Sequence, residues 1–224
     1  MILIRTEELF SFEHSLAGDY LKGFEYPWQA LAGIKELIRT LGRELDKEEY
    51  DEIAPEVWVH KTAVIAPTAY LGAPCIIGRD TEVRHCAFIR GSALVGENCV
   101  VGNSVELKNA ILFDCVQTPH YNYVGDSILG YKSHMGAGSV TSNVKSDKTL
   151  VKVKSPGGVI ETGLKKFGAM LGDNVEVGCN SVLNPGTVVG RGTNIYPLSC
   201  VRGVIPPCSI YKKQGEIVKK EITR

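Results

Sequence analysis

The chain has 224 residues, with 25 Lys plus Arg against 25 Asp plus Glu, so its formal net charge is zero. Without a net field it has no general attraction for nucleic acid or anionic lipid, and any anion site must be local. Apolar runs are broken by Gly, Pro or charge well before the roughly 18 residues of a membrane span, and no signal-peptide pattern follows Met1, so a soluble, cytoplasmic protein is expected.

Residues 1–55 show no repeat. From Pro27 to about Leu45 the apolar positions Trp28, Leu31, Ile34, Leu37, Ile38, Leu41 and Leu45 follow helical spacing, and Pro27 suits a first turn. This N-terminal helical extension is expected to cover an end of the domain that follows, where apolar surface and strand edges would otherwise meet water.

Residues 56–210 follow another rule. Val59, Ile65, Leu71, Ile77, Val83, Ile89, Val95, Val101, Leu107 and Phe113 recur every six residues, and a small or β-branched residue sits four places after most of them (Ala63, Ala69, Cys75, Thr81, Ala87, Ala93, Cys99, Val105). A period of six fits neither a helix nor a simple hairpin strand; it predicts short strands stacked as the flat faces of a parallel β-helix, with anchor and small residue both pointing inward. The register slips by one from Phe113 to Val124 and again from Val124 to Leu129, and these slips are expected to mark loops. A second block runs through Leu171, Val177, Leu183, Val189, Ile195 and Val201. Between the blocks, residues 143–167 carry six lysines around a Ser155-Pro156-Gly157-Gly158 turn signal and read as an excursion from the solenoid. Residues 211–224 read as a solvated C-terminal tail.

Seven cysteines without a CxxC pair predict free thiols, with Cys75 and Cys99 as core fillers. The five histidines lie too far apart for a structural zinc site, so no metal is expected.

Three stretches are more specific than the hexads: Gly102-Asn103-Ser104-Val105-Glu106-Leu107-Lys108, His120-Tyr121-Asn122-Tyr123-Val124-Gly125-Asp126 and Gly136-Ala137-Gly138-Ser139-Val140-Thr141-Ser142-Asn143. Over residues 59–203 the chain resembles the left-handed β-helix acyltransferases. Within them it is most similar to the acetyltransferase half of bifunctional sugar-1-phosphate nucleotidylyltransferases that also acetylate hexosamine 1-phosphates. The resemblance implies a homotrimer that carries an acetyl group from acetyl-CoA to the amine of glucosamine or galactosamine 1-phosphate. It further implies His120 as general base, Tyr123 as a substrate-positioning hydroxyl, Asn143 as a sugar contact, and Arg90, Lys108 and one of Lys148 or Lys152 around the phosphate. His134 stands where some relatives have Asn and could orient substrate or merely pack. Cys179, Tyr196 and Pro197 fall on the coenzyme A groove, where the family often has small Ser or Ala residues.

The chemistry is consistent with those assignments. An amine with a pKa of about 7.7–8.0 must lose a proton before it attacks a thioester, and histidine, at about 6.5, suits that transfer. Arg offers a phosphate a bidentate fork and Lys a point charge. A backbone N–H in the glycine-rich turns would stabilise the tetrahedral oxyanion.

Residues 1–55 lack the G-x-G-[ST]-R loop of the family's nucleotidylyltransferase half, so that activity is not expected in this chain, and a separate nucleotidyltransferase is a possible partner. The missing loop also motivates an alternative: a non-catalytic trimeric module that binds a sugar phosphate or nucleotide sugar. A carbonic anhydrase on the same solenoid would use His85 and His120, but Gly125 stands where its third ligand belongs.

Overall fold

In the computed structural model, which describes residues 4–221, successive coils each lay short strands on three faces, here numbered I, II and III in chain order. Cys75 pairs with Ala93 on face I, Glu82 with Val100 on face II and Tyr70 with Phe88 on face III, every pair parallel and 18 residues apart. Three hexads therefore make one coil of a left-handed parallel β-helix. The anchors point inward, and Val83, Val101, Ile89 and Leu107 are essentially inaccessible. Tight corners need left-handed backbone, and residues that tolerate it recur there, among them Asp80, Asn98, Asn109 and Asn174. Residues 1–3 and 222–224, the outer ends of the expected extension and tail, lie outside the described residues.

The register slips are shortened corners rather than the expected loops. Strands Glu106–Leu112 and Tyr123–Leu129 run unbroken through the corner from face III to face I, so those coils are 17 residues long: Ala93 pairs with Ala110 and Ala110 with Ser127. Face I is anchored by Leu112, paired with Val95, which puts the first slip before Phe113. His120, expected in a loop, ends the strand Gln117–His120 and pairs with Asn103.

The N-terminal segment does not sit on an end of the solenoid; it lies along face I. The expected helix is a 3₁₀ stretch, Pro27–Gly33, running into an α-helix, Ile34–Glu44. The helix packs over strands Cys75–Ile77, Ala93–Val95 and Glu106–Leu112, and the 3₁₀ stretch over Tyr123–Leu129. The outward residues of face I explain the placement: Trp58, Ile76, Leu94, Ile111, Ile128, Met170 and Val188 are all apolar and all buried. Ile34 and Ile38, fully buried against them, each contribute roughly 1.5–3 kcal/mol.

The ends are closed by antiparallel pairing instead. Tyr50–Ala54 pairs with the first rung, Val57–His60, and Glu216–Lys219 folds back on Ser209–Lys213, satisfying strand edges that would otherwise recruit other chains. The expected solvated tail is thus partly a strand, and Lys220 donates to the Gly192 carbonyl and to Asn194.

The excursion leaves and returns at the III–I corner, where Phe167 N–H donates to the Asn143 carbonyl at 3.0 Å. It folds as an antiparallel hairpin, Lys152–Ser155 with Gly158–Glu161, turning at Pro156-Gly157 as the sequence predicts. Val151 and Val153 are buried, and Phe167 stacks on Trp28 with ring centroids 5.6 Å apart, so the neck is packed rather than loose.

Candidate active site

Two corners flank face III and gather most of the candidate residues. At the II–III corner one backbone hydrogen bond per coil builds a column: Ser104 N–H to the His85 carbonyl, Tyr121 to Asn103, Gly138 to His120, Asn180 to Ala137 and Leu198 to Cys179. His120 therefore shares a ridge with Cys179, Tyr196 and Pro197, all four exposed. This close stacking needs Gly102, because a Cβ there would collide with the Pro119 carbonyl that precedes His120. The column brings the expected base and the expected coenzyme A residues onto one line.

The III–I corner is built differently, around the Asp126 carboxylate, whose side chain is only 5% exposed. Asp126 accepts from Lys108 Nζ at 2.9 and 3.1 Å, from Asn109 Nδ2 at 2.9 Å and from Asn143 Nδ2 at 2.6 Å. Asn143 also donates to the Tyr123 hydroxyl at 3.1 Å, and Arg90 pairs with Glu106 at 2.8 Å. Burial, followed by the charges of Asp126 and Glu106, raises the pKa of Tyr123 and keeps its hydroxyl protonated. The structure thus brings Arg90, Lys108, Tyr123 and Asn143 together, but each cation already has a carboxylate partner. The expected phosphate lysine, Lys108, is held by the Asp126 carboxylate.

Other candidates fall elsewhere. His134 points outward on face II, where its Nδ1 lies 2.8 Å from Glu176, so it belongs to neither corner cluster. Lys152 pairs with Glu161 across the hairpin, while Lys148 is exposed. Gly136 and Gly138, in the turn expected to offer an oxyanion donor, already give their N–H groups to the Val177 and His120 carbonyls. Glu106, Asp126 and the buried Asn122 were missed as site residues although two of the quoted stretches contain them; an acid and an amide within three residues of Tyr123 were the available signal. No cluster of three or more His, Cys, Asp or Glu side chains able to hold a metal occurs among the described residues, and no helix there is long and apolar enough to cross a membrane.

A family model described as the GMPPB C-terminal domain matches residues 87–190. The chain is 35% identical over 91 residues to a bifunctional sugar-1-phosphate nucleotidylyltransferase/acetyltransferase of Sulfurisphaera tokodaii, covering 41% of this chain and 23% of that protein. It is 32% identical over 198 residues to the bifunctional protein GlmU of Methanocaldococcus jannaschii, covering 87% of this chain and 48% of the relative. The chain thus spans about half or less of these bifunctional relatives. It is also 30% identical over 191 residues to YaiX of Escherichia coli K12, named as an uncharacterized acetyltransferase, covering 77% of this chain and 79% of that one. With this match over more than three quarters of both chains and hexads coiled into a β-helix, the chain belongs to the hexapeptide-repeat acetyltransferase family.

Proposed function

We propose that the protein is an N-acetyltransferase that moves an acetyl group from acetyl-CoA to the amine of a hexosamine 1-phosphate. The observation that carries this reading is the exposed column at the II–III corner, with His120 at one level and Cys179, Tyr196 and Pro197 on the coils beyond it. An extended pantetheine arm laid along that ridge would bring its thioester to the imidazole. The amine attacks the thioester carbonyl, His120 takes the proton the nitrogen releases, the tetrahedral oxyanion collapses, and the departing thiolate leaves as the coenzyme A thiol after protonation.

The acceptor lies across face III. Five residues separate His120 from Asp126, the corner pair Tyr121 and Asn122 and three residues of the strand Tyr123–Leu129, at most about 15 Å of backbone, a span that a sugar phosphate and the two side chains can bridge. Tyr123, between them, positions the sugar, with Asn143 beside it. The phosphate meets Arg90, whose pair with Glu106 is exposed enough to rearrange, together with Lys148 of the excursion. Lys108 shares its charge with Asp126 and orients the site. The relatives' names support a sugar phosphate as acceptor.

The site is completed in a homotrimer. Face I is covered by the N-terminal segment, whereas face III presents Tyr70, Phe88 and Val182 to solvent. A cavity of about 530 Å³ lies beside the N-terminal helix, lined by Arg43, Tyr50 and Trp58, and neither His120 nor Lys108 borders it. In this assembly a neighbouring copy supplies the wall that makes a cleft of the open corner.

A thiol-release assay with acetyl-CoA and glucosamine or galactosamine 1-phosphate tests the reading. Turnover in the wild type that is lost in His120→Ala, with the assembly retained, supports it. Binding of these sugars without turnover on any of them would assign the chain to the non-catalytic module.

A further inference from the structure

We propose that Asn122 is a positioning residue for His120, fixing the backbone that presents the imidazole to the reacting amine. The proposal rests on the acyl-transfer reading of the II–III corner and adds to it a residue that touches neither substrate.

The argument starts from a comparison that the repeat itself provides. The inward position just before each face III strand is occupied in turn by Ala69, Ala87, Val105, Asn122, Ser139, Ser181 and Ser199, aligned by the backbone bonds between coils. Ala, Val and Ser fill that position in the other coils, so packing alone does not call for an amide. A buried amide is costly unless its hydrogen-bonding groups are matched. Asn122, only 2% exposed, occurs in the coil that carries His120.

Its bonds close a loop around that histidine. Asn122 Oδ1 accepts from His120 N–H at 3.2 Å. Asn122 Nδ2 faces the Gly136 carbonyl at 2.9 Å and the Ser139 carbonyl and hydroxyl at 3.1 Å each. The same Gly136–Ser139 turn sends Gly138 N–H to the His120 carbonyl at 3.0 Å. Both polar groups of the His120 backbone are thus held, one by the Asn122 side chain and the other by the turn that the side chain anchors. Between them Tyr121 has φ of 53°, the left-handed conformation that the same corner takes at Cys86, Ser104, Asn180 and Leu198, so what sets this coil apart is the amide and not the turn. Without the amide, the corner keeps its packing and loses the constraint that aims the imidazole.

Asn122→Val is the test, because Val105 fills the equivalent position one coil earlier. The variant is expected to keep its fold and assembly, to lose kcat on the order of 10–100-fold, and to hold KM for both substrates within about threefold, the pattern of a misplaced rather than a missing group. In a double-mutant cycle, His120→Ala/Asn122→Val is expected to be no slower than His120→Ala alone, since Asn122 acts only through the ring. The His120 imidazole resonances, assigned by their loss in His120→Ala, are expected to broaden or shift in the valine variant. Unchanged kcat, additive losses or superimposable resonances would each overturn the proposal. Should the valine variant fail to fold, Asn122→Ser, the residue of the later coils, takes the same measurements. A wild type without acyl transfer would sink the reading of the site, and the resonances alone would then decide whether Asn122 positions His120.

Discussion

The two corners that flank face III are made from the same repeat and do opposite things. At the III–I corner Arg90, Lys108, Asn109, Tyr123 and Asn143 are tied to Glu106 and Asp126 before any ligand arrives. At the II–III corner His120, Cys179, Tyr196 and Pro197 project into solvent, and the order resides in the backbone column beneath them. One corner stores its organisation in side-chain bonds, the other in main-chain bonds to which the buried Asn122 amide adds its own. In the reaction proposed above, the fixed polar lattice would orient the acceptor and the open ridge would admit the long donor.

Substitutions that exchange stability for activity would break this contrast. His120→Ala is expected to lower kcat on the order of 10²–10⁴-fold while leaving thermal stability nearly unchanged, because the ring is exposed. Steady-state rates alongside a melting curve check both halves. Asp126→Ala should do the reverse to stability, lowering it by about 1–3 kcal/mol as Lys108, Asn109 and Asn143 lose their common acceptor. The quarter exposure of Lys108 keeps that figure below the cost of breaking a fully buried pair. Denaturant unfolding of the variant measures it.

A smaller effect concerns the strand that closes the first rung. Burial pushes the Tyr50 phenol up to about 12 from an ordinary 10.0, with nearby Glu97 and Glu49 adding to the shift. The folded state holds this proton more tightly than the unfolded chain, so the stabilisation is complete below pH 10 and is lost as the pH rises toward about 12. Tyr50→Phe is expected to flatten the alkaline limb of stability against pH, seen in melting curves across that window, without changing the neutral plateau.

The parts of the fold that repeat were readable from the chain, and the parts that depend on contacts between distant segments were not. Ten anchors six residues apart left only a stacked-strand solenoid, and the Ser155–Gly158 signal gave the turn of the excursion hairpin. The place of the N-terminal segment was misjudged, yet its signal was present. Every third strand carries an apolar residue on its outward side, from Trp58 through Ile76, Leu94 and Ile111 to Ile128, and such a face must be covered. A shortened corner and a loop alter the hexad phase identically, so the phase alone does not distinguish them. Among the candidate site residues, the resemblance points to His120 and the residues around Tyr123, but the partners of Lys108 and Arg90 follow from stacking one coil on the next, which brings Asp126 and Glu106 into reach from 18 and 16 residues away in sequence.

Differential alkylation of Cys179 tests most directly whether the II–III corner is the donor groove. Cys179 lies on the His120 ridge and Cys208 on a corner away from face III, and both thiols are exposed. Saturating acetyl-CoA, whose thioester leaves no free thiol to consume the alkylating reagent, is expected to slow labelling of Cys179 and leave Cys208 unchanged, as read by peptide mass spectrometry. Equal labelling of Cys179 with and without acetyl-CoA would place the donor elsewhere and contradict the account.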